Sequence, residues 1–325
     1  MPLLEIDALR IAFANRRGPL VAVDDLSISI DPGEVLSMVG ESGAGKSLTA
    51  MAIIGLLEPP AQIAGGRIRI EGRRIDNLPE RQLRRLRGKV IGAIFQDPLT
   101  SLDPLYTVAR QMVETIQTHT GLGAAAARKR AIALLAEVGM PSPMQRIDAY
   151  PHQLSGGMRQ RVVIALALCG HPRLIIADEP TSALDVSIQA QIIALLRRLC
   201  RDHGTAVLLI SHDMGVIAET ADRVAVLYAG RIVETGPVRD VVKQPNHPYT
   251  QGLMRSIPRI DQEIERLAQI EGAMPRLGEI PNGCPFHPRC PDVFDRCRRA
   301  RPPLLPAGDR SGKSWAACWL FAEHD

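Results

Sequence analysis

Eight consecutive residues near the start of the chain have the composition of a phosphate-binding loop. They are Gly40, Glu41, Ser42, Gly43, Ala44, Gly45, Lys46 and Ser47, and they match the pattern G-x-x-x-x-G-K-[ST]. Together with Leu48 they form the predicted ATP-binding set. Glycines let backbone N–H groups turn inward around phosphates, and the helix that follows directs its positive end at the same anion. Lys46 is expected to reach the β- and γ-phosphates, and Ser47 to ligate Mg²⁺. The structural alternative is a tight turn with a chance lysine.

Two carboxylates follow a second apolar run, residues 174–177, which ends in Asp178 and Glu179. Such a strand end fits a site at the carboxyl edge of a parallel sheet. Asp178 is expected to hold the Mg²⁺ shell and Glu179 to activate the attacking water as general base. An acidic pair after a strand often caps the next helix instead, and the phosphate loop favours the catalytic interpretation.

A third apolar run, residues 206–210, ends in Ser211 and His212. A lone histidine is usually structural. Because parallel strands bring their carboxyl ends to one sheet edge, His212 is predicted to contact the γ-phosphate or the water.

A second anion-binding helix end is predicted after Leu154. Ser155 would cap a helix whose first N–H groups are left open by Gly156 and Gly157. One nucleotide rarely needs two such sites in one chain. A sandwich dimer does, because the second site closes on the ATP of the partner.

Four cysteines near the end of the chain could hold a metal. They are spaced C-x5-C-x6-C-x20-C: Cys284, Cys290, Cys297 and Cys318. The spacing lacks the C-x2-C pairs usual in zinc ribbons, but four thiols in a loop-rich segment indicate a metal more than a packed core. His287 is a spare candidate ligand, more typical of a loop residue. Cys169 and Cys200 lie in predicted helices and are expected to be buried thiols.

The elements that must position these residues are those of an α/β protein. Residues 35–39, 174–177 and 206–210 are predicted central strands, and 128–138 a helix with Ala131, Leu134, Leu135 and Val138 on one face. Little strand signal lies between about 105 and 170. We therefore predict an ATP-binding domain over residues 1–240, with a helical subdomain at about 100–170.

The composition of the sequence changes after about residue 236. The last 89 residues hold 12 of the 25 prolines, four of the six cysteines and both tryptophans. This composition predicts a small, Cys- and Pro-rich C-terminal domain over residues 241–325.

Charge and composition exclude several function classes. A net charge of +4 over 325 residues is too small to indicate nucleic acid. The arginines at 81, 84, 85 and 87 lack interleaved aromatics, so a solvated helix face is favoured over a nucleic-acid patch. No secretory signal or long apolar run is present, which predicts a soluble, cytoplasmic protein whose membrane role comes through partners.

Taken in order, these motifs resemble those of the ATP-binding-cassette family. Ser155 lies 108 residues after Ser47 and 23 before Asp178, as in a transporter cassette. Gln96, in Phe95-Gln96-Asp97-Pro98, is similar to the family's Q-loop, which senses Mg²⁺ and contacts membrane subunits. Asp185, in residues 182–185, resembles the D-loop, and His212 the H-switch.

The resemblance implies a P-loop NTPase fold with a RecA-like core, a β-subdomain and a helical subdomain. It also implies two cassettes that close around two ATP molecules. One family feature departs: the aromatic that stacks on adenine falls near Arg16 and Arg17, with Phe13 slightly upstream. An arginine plane can stack on adenine in its place.

Residues 95–104, 247–250 and 283–291 extend the resemblance to dipeptide and oligopeptide importers, which also serve nickel and glutathione. That branch implies a [4Fe–4S] cluster on the four cysteines, and Cys290-Pro291 suits a cluster ligand followed by proline. It implies as partners a second, paralogous ATPase subunit, two transmembrane permeases and an extracytoplasmic solute-binding protein, with this chain on the cytoplasmic face of the membrane.

Two other functions compete with ATP-driven import. The first is a non-transport ATPase of the same superfamily; those usually carry tandem cassettes or a long coiled-coil insertion, and neither is present here. The second is an iron–sulfur regulatory module on a vestigial cassette, and the complete Lys46, Asp178, Glu179 and His212 set argues against a vestige.

Overall fold

The structure is a computed structural model that describes residues 1–16, 18–181, 186–256, 269–308 and 313–322. The chain divides into two compact units. Unit one comprises Met1–Leu4, Ile30–Val35 and Asn77–Ile210; unit two comprises Glu5–Ser29, Leu36–Asp76 and Ser211–Asp325.

The elements are numbered along the chain. The strands are β1 (Leu4–Phe13), β2 (Leu20–Ile30), β3 (Val35–Val39), β4 (Ala61–Ile70), β5 (Arg73–Arg74), β6 (Ile91–Ile94), β7 (Leu174–Asp178), β8 (Ala206–Ile210), β9 (Arg223–Tyr228), β10 (Arg231–Pro237), β11 (Leu305–Pro306) and β12 (Trp315–Ala316). The helices are α1 (Lys46–Ile54), α2 (Glu80–Leu86), α3 (Pro98–Ser101), α4 (Val108–Thr120), α5 (Ala124–Glu137), α6 (Pro143–Arg146), α7 (Gly156–Leu168), α8 (Val186–His203), α9 (Met214–Thr220), α10 (Val238–Lys243), α11 (Pro248–Arg255) and α12 (Asp295–Arg299).

Unit one is built on the parallel strands β6, β7 and β8, with β7 in the middle. Every residue of β7 and β8 is buried, which explains their continuous apolar runs. Helices α4, α5 and α7 pack together. Their buried faces include Met112, Ile116, Leu134, Leu135 and Val162.

The predicted helical region is confirmed. Every residue between Ile94 and Leu174 is described, and none of them belongs to a strand. Helix α5 buries Ala131, Leu134 and Leu135 as expected, and Gly139 follows in the left-handed region, with φ of 73°. Strands β7 and β8 occupy the predicted runs. The arginines at 81, 84 and 85 lie on α2 and are exposed, as expected for a solvated helix face, whereas Arg87 follows the helix and is half-buried.

Unit two contains two sheets. One has the strand order β2, β1, β4, β5, and its buried side chains include Leu9, Ile11, Val23 and Leu26. The other runs β11, β12, β10, β9, β3, with β3 parallel to β9 and the remaining pairs antiparallel. Strand β3 is buried along its whole length and leads through the glycine-rich loop into α1.

The C-terminal residues are continuous with this second sheet. Thr235 of β10 pairs with Trp315, and Glu234 pairs with Ala316. Residues beyond 240 therefore add strands to the unit that carries the glycine-rich loop. The domain boundary at residue 240 and the limits of the helical subdomain stay predictions.

The two helical cysteines are buried thiols, as the sequence predicts. Cys169, at the end of α7, donates to the Ala165 carbonyl oxygen at 3.3 Å, and Cys200 of α8 donates to the Gly33 carbonyl oxygen at 3.2 Å. Burial raises the pKa of Cys169 to about 12, so this thiol stays protonated. Among the helices of the described ranges, none is long and apolar enough to cross a membrane.

Candidate nucleotide and cysteine sites

The glycine-rich loop, Gly40–Ser47, is shaped by its backbone and is called the phosphate loop below. Gly40 has φ of 154°, and a Cβ at this position would lie 2.2 Å from the Leu227 carbonyl oxygen of β9. Only glycine fits here without moving the strand. The close packing of loop on strand leaves Ser42 and Gly43 exposed at the tip, where a ligand could reach their N–H groups.

Lys46 begins α1 and lies over this loop. Its Nζ donates to the Gly40 carbonyl oxygen at 2.7 Å and to the Glu41 carbonyl oxygen at 3.0 Å, and the side chain is buried. Ser47, in the first turn of the helix, is exposed. The first turn of α1 contains no acidic residue, so its positive end is not offset locally. Lysine, hydroxyl and helix end together suit an anion with a bound Mg²⁺.

Strand β7 delivers the two predicted carboxylates at its end. Asp178 is buried, and Glu179 follows with φ of 46°, in the left-handed region that a glutamate rarely adopts. The Glu179 N–H donates to the Ile210 carbonyl oxygen of β8 at 2.9 Å, which holds this conformation. Strained backbone of this kind concentrates at functional sites.

Gln96 lies beside Glu179, a proximity that the sequence does not predict. The Gln96 Nε2 donates to the Glu179 Oε2 at 3.0 Å, although 83 residues separate them along the chain. Strand β6, which ends two residues before Gln96, pairs with β7 and brings the two side chains together. Unit one therefore joins the predicted base to the predicted Q-loop residue.

Ser155 caps α7, as predicted. Its Oγ accepts from the Met158 N–H at 3.3 Å, and Ser155 and Gly156 are exposed. The first turn of the helix has no acidic residue. A Cβ on Gly157 would lie 2.9 Å from the Ile188 side chain of α8, so this glycine also serves packing. The exposed helix end is suited to bind an anion.

The other predicted nucleotide contacts are His212, Asp185 and the residues near the adenine position. His212 belongs to unit two, is exposed, and precedes Asp213, whose Oδ1 caps α9 by accepting from the Gly215 N–H at 2.8 Å. Asp185 and Arg17 lie outside the described residues. Phe13 ends β1 and is half-buried, and Arg16 is exposed, so the adenine contact stays a prediction.

The four C-terminal cysteines line one cavity, called the four-cysteine cavity below. Its walls also include His287, Phe286 and Trp319. The Cys284 N–H donates to the Cys297 carbonyl oxygen at 2.8 Å. None of the six cysteines of the chain, all of them described, forms a disulfide. His287 turns its Nδ1 to the Cys284 carbonyl oxygen at 3.0 Å.

Burial makes ionisation of these thiols costly. It raises the pKa of Cys284 and of Cys290 to about 11, and it raises the pKa of Cys318 as well. A nearby cation would offset this cost, since a coordinating thiol is deprotonated. Within the described ranges, however, no three His, Cys, Asp or Glu side chains are placed to hold a single metal ion.

The sequence does not point to two residues that contact the phosphate loop. The Tyr249 hydroxyl accepts from the Glu41 N–H at 2.9 Å, and the Arg289 guanidinium pairs with the Glu41 carboxylate at 3.0 Å. Both lie more than 200 residues from Glu41 along the chain. The run containing Tyr249 resembles a branch motif, but no local signal links it to the loop.

Comparison with known families finds two matches along the chain. The family described as ABC transporter matches residues 23–182, and the one described as Oligopeptide/dipeptide transporter, C-terminal region, matches residues 233–297.

Curated relatives match nearly the whole chain. The Dipeptide transport ATP-binding protein DppD of Escherichia coli (strain K12) is 47% identical over 95% of this chain and 94% of the relative. The Oligopeptide transport ATP-binding protein OppD of Salmonella typhimurium is 49% identical over 93% and 90%, respectively. AppD of Bacillus subtilis (strain 168), also an oligopeptide transport ATP-binding protein, is 44% identical over 99% and 97%.

Solved structures with the same fold are ATP-binding cassettes. One is the cassette MJ0796 in a dimeric, post-hydrolysis state bound to ADP and Pi, with a TM-score of 0.65 at 28% identity. The match covers 73% of this chain and 99% of the MJ0796 chain. Another is cbiO1 from Clostridium perfringens, part of the ABC transporter complex cbiONQ, with a TM-score of 0.65 at 27% identity over 75% of this chain and 91% of that one.

Proposed function

The chain belongs to the ATP-binding proteins of ABC transporters for dipeptides and oligopeptides, and we propose that it hydrolyses ATP to power import of small peptides or a related solute. The likeness covers the C-terminal region as well as the cassette, which separates this branch from other cassettes. The fold is that of the ABC cassette, an ATP-hydrolysing P-loop enzyme.

The phosphate loop binds the ATP phosphates in this proposal. The exposed N–H groups at its tip and the positive end of α1 receive the anion, and Lys46 exchanges its loop carbonyls for the β- and γ-phosphates. Ser47, Gln96 and Asp178 offer the hydroxyl, amide and carboxylate oxygens that Mg²⁺ prefers. When bound, Mg²⁺ neutralises charge on the β- and γ-phosphates.

Glu179 acts as general base toward the attacking water, and one observation supports this most. Its backbone is held in a left-handed conformation by a hydrogen bond to β8, and its carboxylate accepts a hydrogen bond from Gln96. Gln96 donates to that carboxylate, and a shift of Gln96 therefore changes the position of the base. His212 orients the γ-phosphate or the water.

Replacing Glu179 by Gln tests this role. Glu179→Gln keeps the shape and the contact with Gln96 but removes the basic oxygen, so ATP binding should persist while hydrolysis falls by about 10²- to 10⁴-fold. Binding and turnover are measured on the full chain assembled with its transporter partners. Glu219→Gln on α9 is the matched control and should hydrolyse ATP at the parental rate. Unchanged hydrolysis by Glu179→Gln would remove the base from the mechanism.

The capped end of α7 acts on a second nucleotide. Ser155, Gly156 and Gly157 present a second anion site, and we propose that it closes on the ATP held by a partner cassette. The partner is a paralogous ATPase subunit, and a homodimer is chemically possible. Two permease subunits receive the motion through the region of Gln96, with an extracytoplasmic solute-binding protein delivering the peptide.

We also propose the following domain organisation. Residues 1–240 form the ATP-binding domain, with a helical subdomain at about 100–170, and residues 241–325 form the appended C-terminal domain. The chain works at the cytoplasmic face of the membrane, bound to the permeases.

For the four-cysteine cavity we propose a [4Fe–4S] cluster held by Cys284, Cys290, Cys297 and Cys318. A single zinc ion needs its ligands to meet within about 2.3 Å of one point, and the described residues contain no such group. The four thiols line one cavity, and their number matches the four cysteine ligands of such a cluster. When bound, the cluster supplies cationic iron and a one-electron redox centre.

The two alternative functions are less favoured by the comparisons. Relatives over nearly the full length are named as peptide transport proteins, and a non-transport ATPase would not be expected to match the transporter C-terminal region. A regulatory module with a vestigial cassette would not need the held conformation of Glu179 or its contact with Gln96.

A further inference from the structure

Arg289, beside Cys290, is a hub of hydrogen bonds within unit two. Its side chain is only 7% exposed. The Nε donates to the Glu271 carbonyl oxygen at 2.9 Å, and one Nη donates to the carbonyl oxygens of Ile270 and Gly272 at 3.3 Å each. The other Nη donates to the Glu41 carboxylate at 3.0 and 3.2 Å and to the Tyr228 hydroxyl at 3.4 Å. Each of the three guanidinium nitrogens thus donates to at least one acceptor.

The phosphate loop receives two more contacts from C-terminal residues. The buried Tyr249 hydroxyl accepts from the Glu41 N–H at 2.9 Å. Met274 brings its methyl group to 3.0 Å from the place where a Cβ on Gly43 would lie. Glu41 is therefore held at its backbone by Tyr249 and at its carboxylate by Arg289, while the tip of the loop is contacted from the 270–274 segment.

The groups that hold Glu41 are packed against one another. The rings of Tyr228, Tyr249 and Phe286 form a cluster with centroid separations of 4.7, 5.2 and 5.4 Å. The Arg289 guanidinium lies 5.7 Å from the Tyr228 ring centre and 5.9 Å from that of Phe286. Aromatic packing and hydrogen bonds together leave Arg289 little freedom to move away from Glu41.

We propose that Arg289 and Tyr249 are positioning residues of the nucleotide site, which hold the phosphate loop through Glu41 and so set the affinity for ATP. The C-terminal region is then a working part of the nucleotide site. Because Arg289 immediately precedes Cys290, the four-cysteine cavity is joined to the phosphate loop through one residue. This inference rests on the proposed ATPase function and deepens it.

Arginine is suited to this position and lysine is not. Five different acceptors surround a planar fork, and an ammonium group offers three donors from a single point. Loss of Arg289 also leaves the Glu41 carboxylate without its partner beside the bound phosphates, where a second negative charge is unfavourable. Both effects weaken ATP binding, while Glu179, the proposed base, keeps its contact with Gln96.

The test measures ATP affinity of the full chain by calorimetry, in a Glu179→Gln background that prevents turnover. Arg289→Gln should raise the Kd for Mg·ATP about tenfold, and Arg289→Lys should recover only part of this loss. Tyr249→Phe removes one hydroxyl from a buried ring and should raise the Kd about threefold. Arg299→Gln, an exposed arginine of α12 that pairs only with exposed Asp295 among the described contacts, is the matched control and should leave the Kd unchanged.

Two further measurements distinguish a positioning role of Arg289 in ATP binding from a contribution to stability alone. In the assembled transporter with Glu179 intact, Arg289→Gln should raise KM for ATP while kcat changes less than about twofold. A double-mutant cycle with Glu41→Gln should be non-additive, because both changes break the same pair.

A lower thermal midpoint with an unchanged Kd in both Arg289→Gln and Tyr249→Phe would overturn the inference, as would additive effects in the cycle. Absence of ATP binding in the parent chain would instead overturn the proposed function.

Discussion

The phosphate loop and the four-cysteine cavity are both built to receive charge, and they differ in what is ready beforehand. In the phosphate loop the receiving groups are main-chain N–H groups at an exposed tip, fixed by glycine packing against β9. In the cavity they are thiols whose pKa is raised by burial, so the charged form is unfavourable until a cation arrives. The phosphate loop has its receiving groups in place in the backbone, whereas the cavity thiols become charged only when a cation binds.

This difference explains where each site should fail. A backbone site is sensitive to any added atom at its tightest glycine and keeps its shape without nucleotide. A thiol site is sensitive to the loss of any one sulfur, because each bound metal needs its full set of ligands. Arg289 connects the two, so damage to the cavity can reach the loop while damage to the loop tip leaves the thiols in place.

The largest expected effect is at the cavity. Protein purified without oxygen should contain about four irons and four acid-labile sulfides per chain, and Cys290→Ser should lose nearly all of both, since one ligand of four is gone. Metal and sulfide analysis measures this directly.

The matched control for that analysis is Cys200→Ser, in the core of unit one, which should retain the metal. Zinc without sulfide would make the cavity a structural metal site, and absence of any metal would refute a resident cofactor.

A smaller effect is expected at the tightest glycine of the phosphate loop. Gly40→Ala places a Cβ 2.2 Å from the Leu227 carbonyl oxygen and adds left-handed strain, so the free energy of unfolding should fall by about 3 kcal/mol. Urea denaturation followed by circular dichroism gives the value.

Gly121→Ala controls for strain alone, because Gly121 has φ of 74° and nothing within 4 Å of the added Cβ. It should cost only about 1 kcal/mol. Equal losses in the two variants would show that the packing of loop on strand is not what fixes the site.

The smallest effect concerns the buried thiol of Cys169 in unit one. Cys169 has an ordinary pKa of 9.0 that burial raises to about 12, so between these values the folded protein keeps a proton that the unfolded chain loses. Stability must therefore fall as pH rises through this window, by up to about 1.4 kcal/mol per pH unit from this group. Cys169→Ala should show a shallower decline between pH 9 and 10.5. An identical slope in both proteins would mean that Cys169 does not titrate with unfolding.

The sequence predicts those parts of the site that depend on local geometry. The phosphate loop, the cap at Ser155 and the strands before Gly40 and Asp178 follow from short patterns, because glycine conformations, capping and buried strands are set within a few residues. The grouping of the four cysteines follows from composition, although the spacing alone leaves the metal open.

The contacts that couple these parts could not be predicted in the same way. Gln96 meets Glu179 only because β6 and β7 pair, and Arg289 meets Glu41 across 248 residues of sequence. Both depend on tertiary packing, for which a single sequence carries no local signal. The contact of Tyr249 with the loop belongs to the same class.

Peptide uptake into proteoliposomes tests the central claim most directly. The chain is assembled with its permeases, its partner ATPase and the solute-binding protein. Uptake of a radiolabelled dipeptide is followed with ATP supplied on the side of the membrane that carries the ATPase subunits. ATP-dependent uptake, abolished by Glu179→Gln and retained in Glu219→Gln, is the result the account predicts. Hydrolysis that neither the peptide nor the binding protein stimulates, with no uptake, would contradict it.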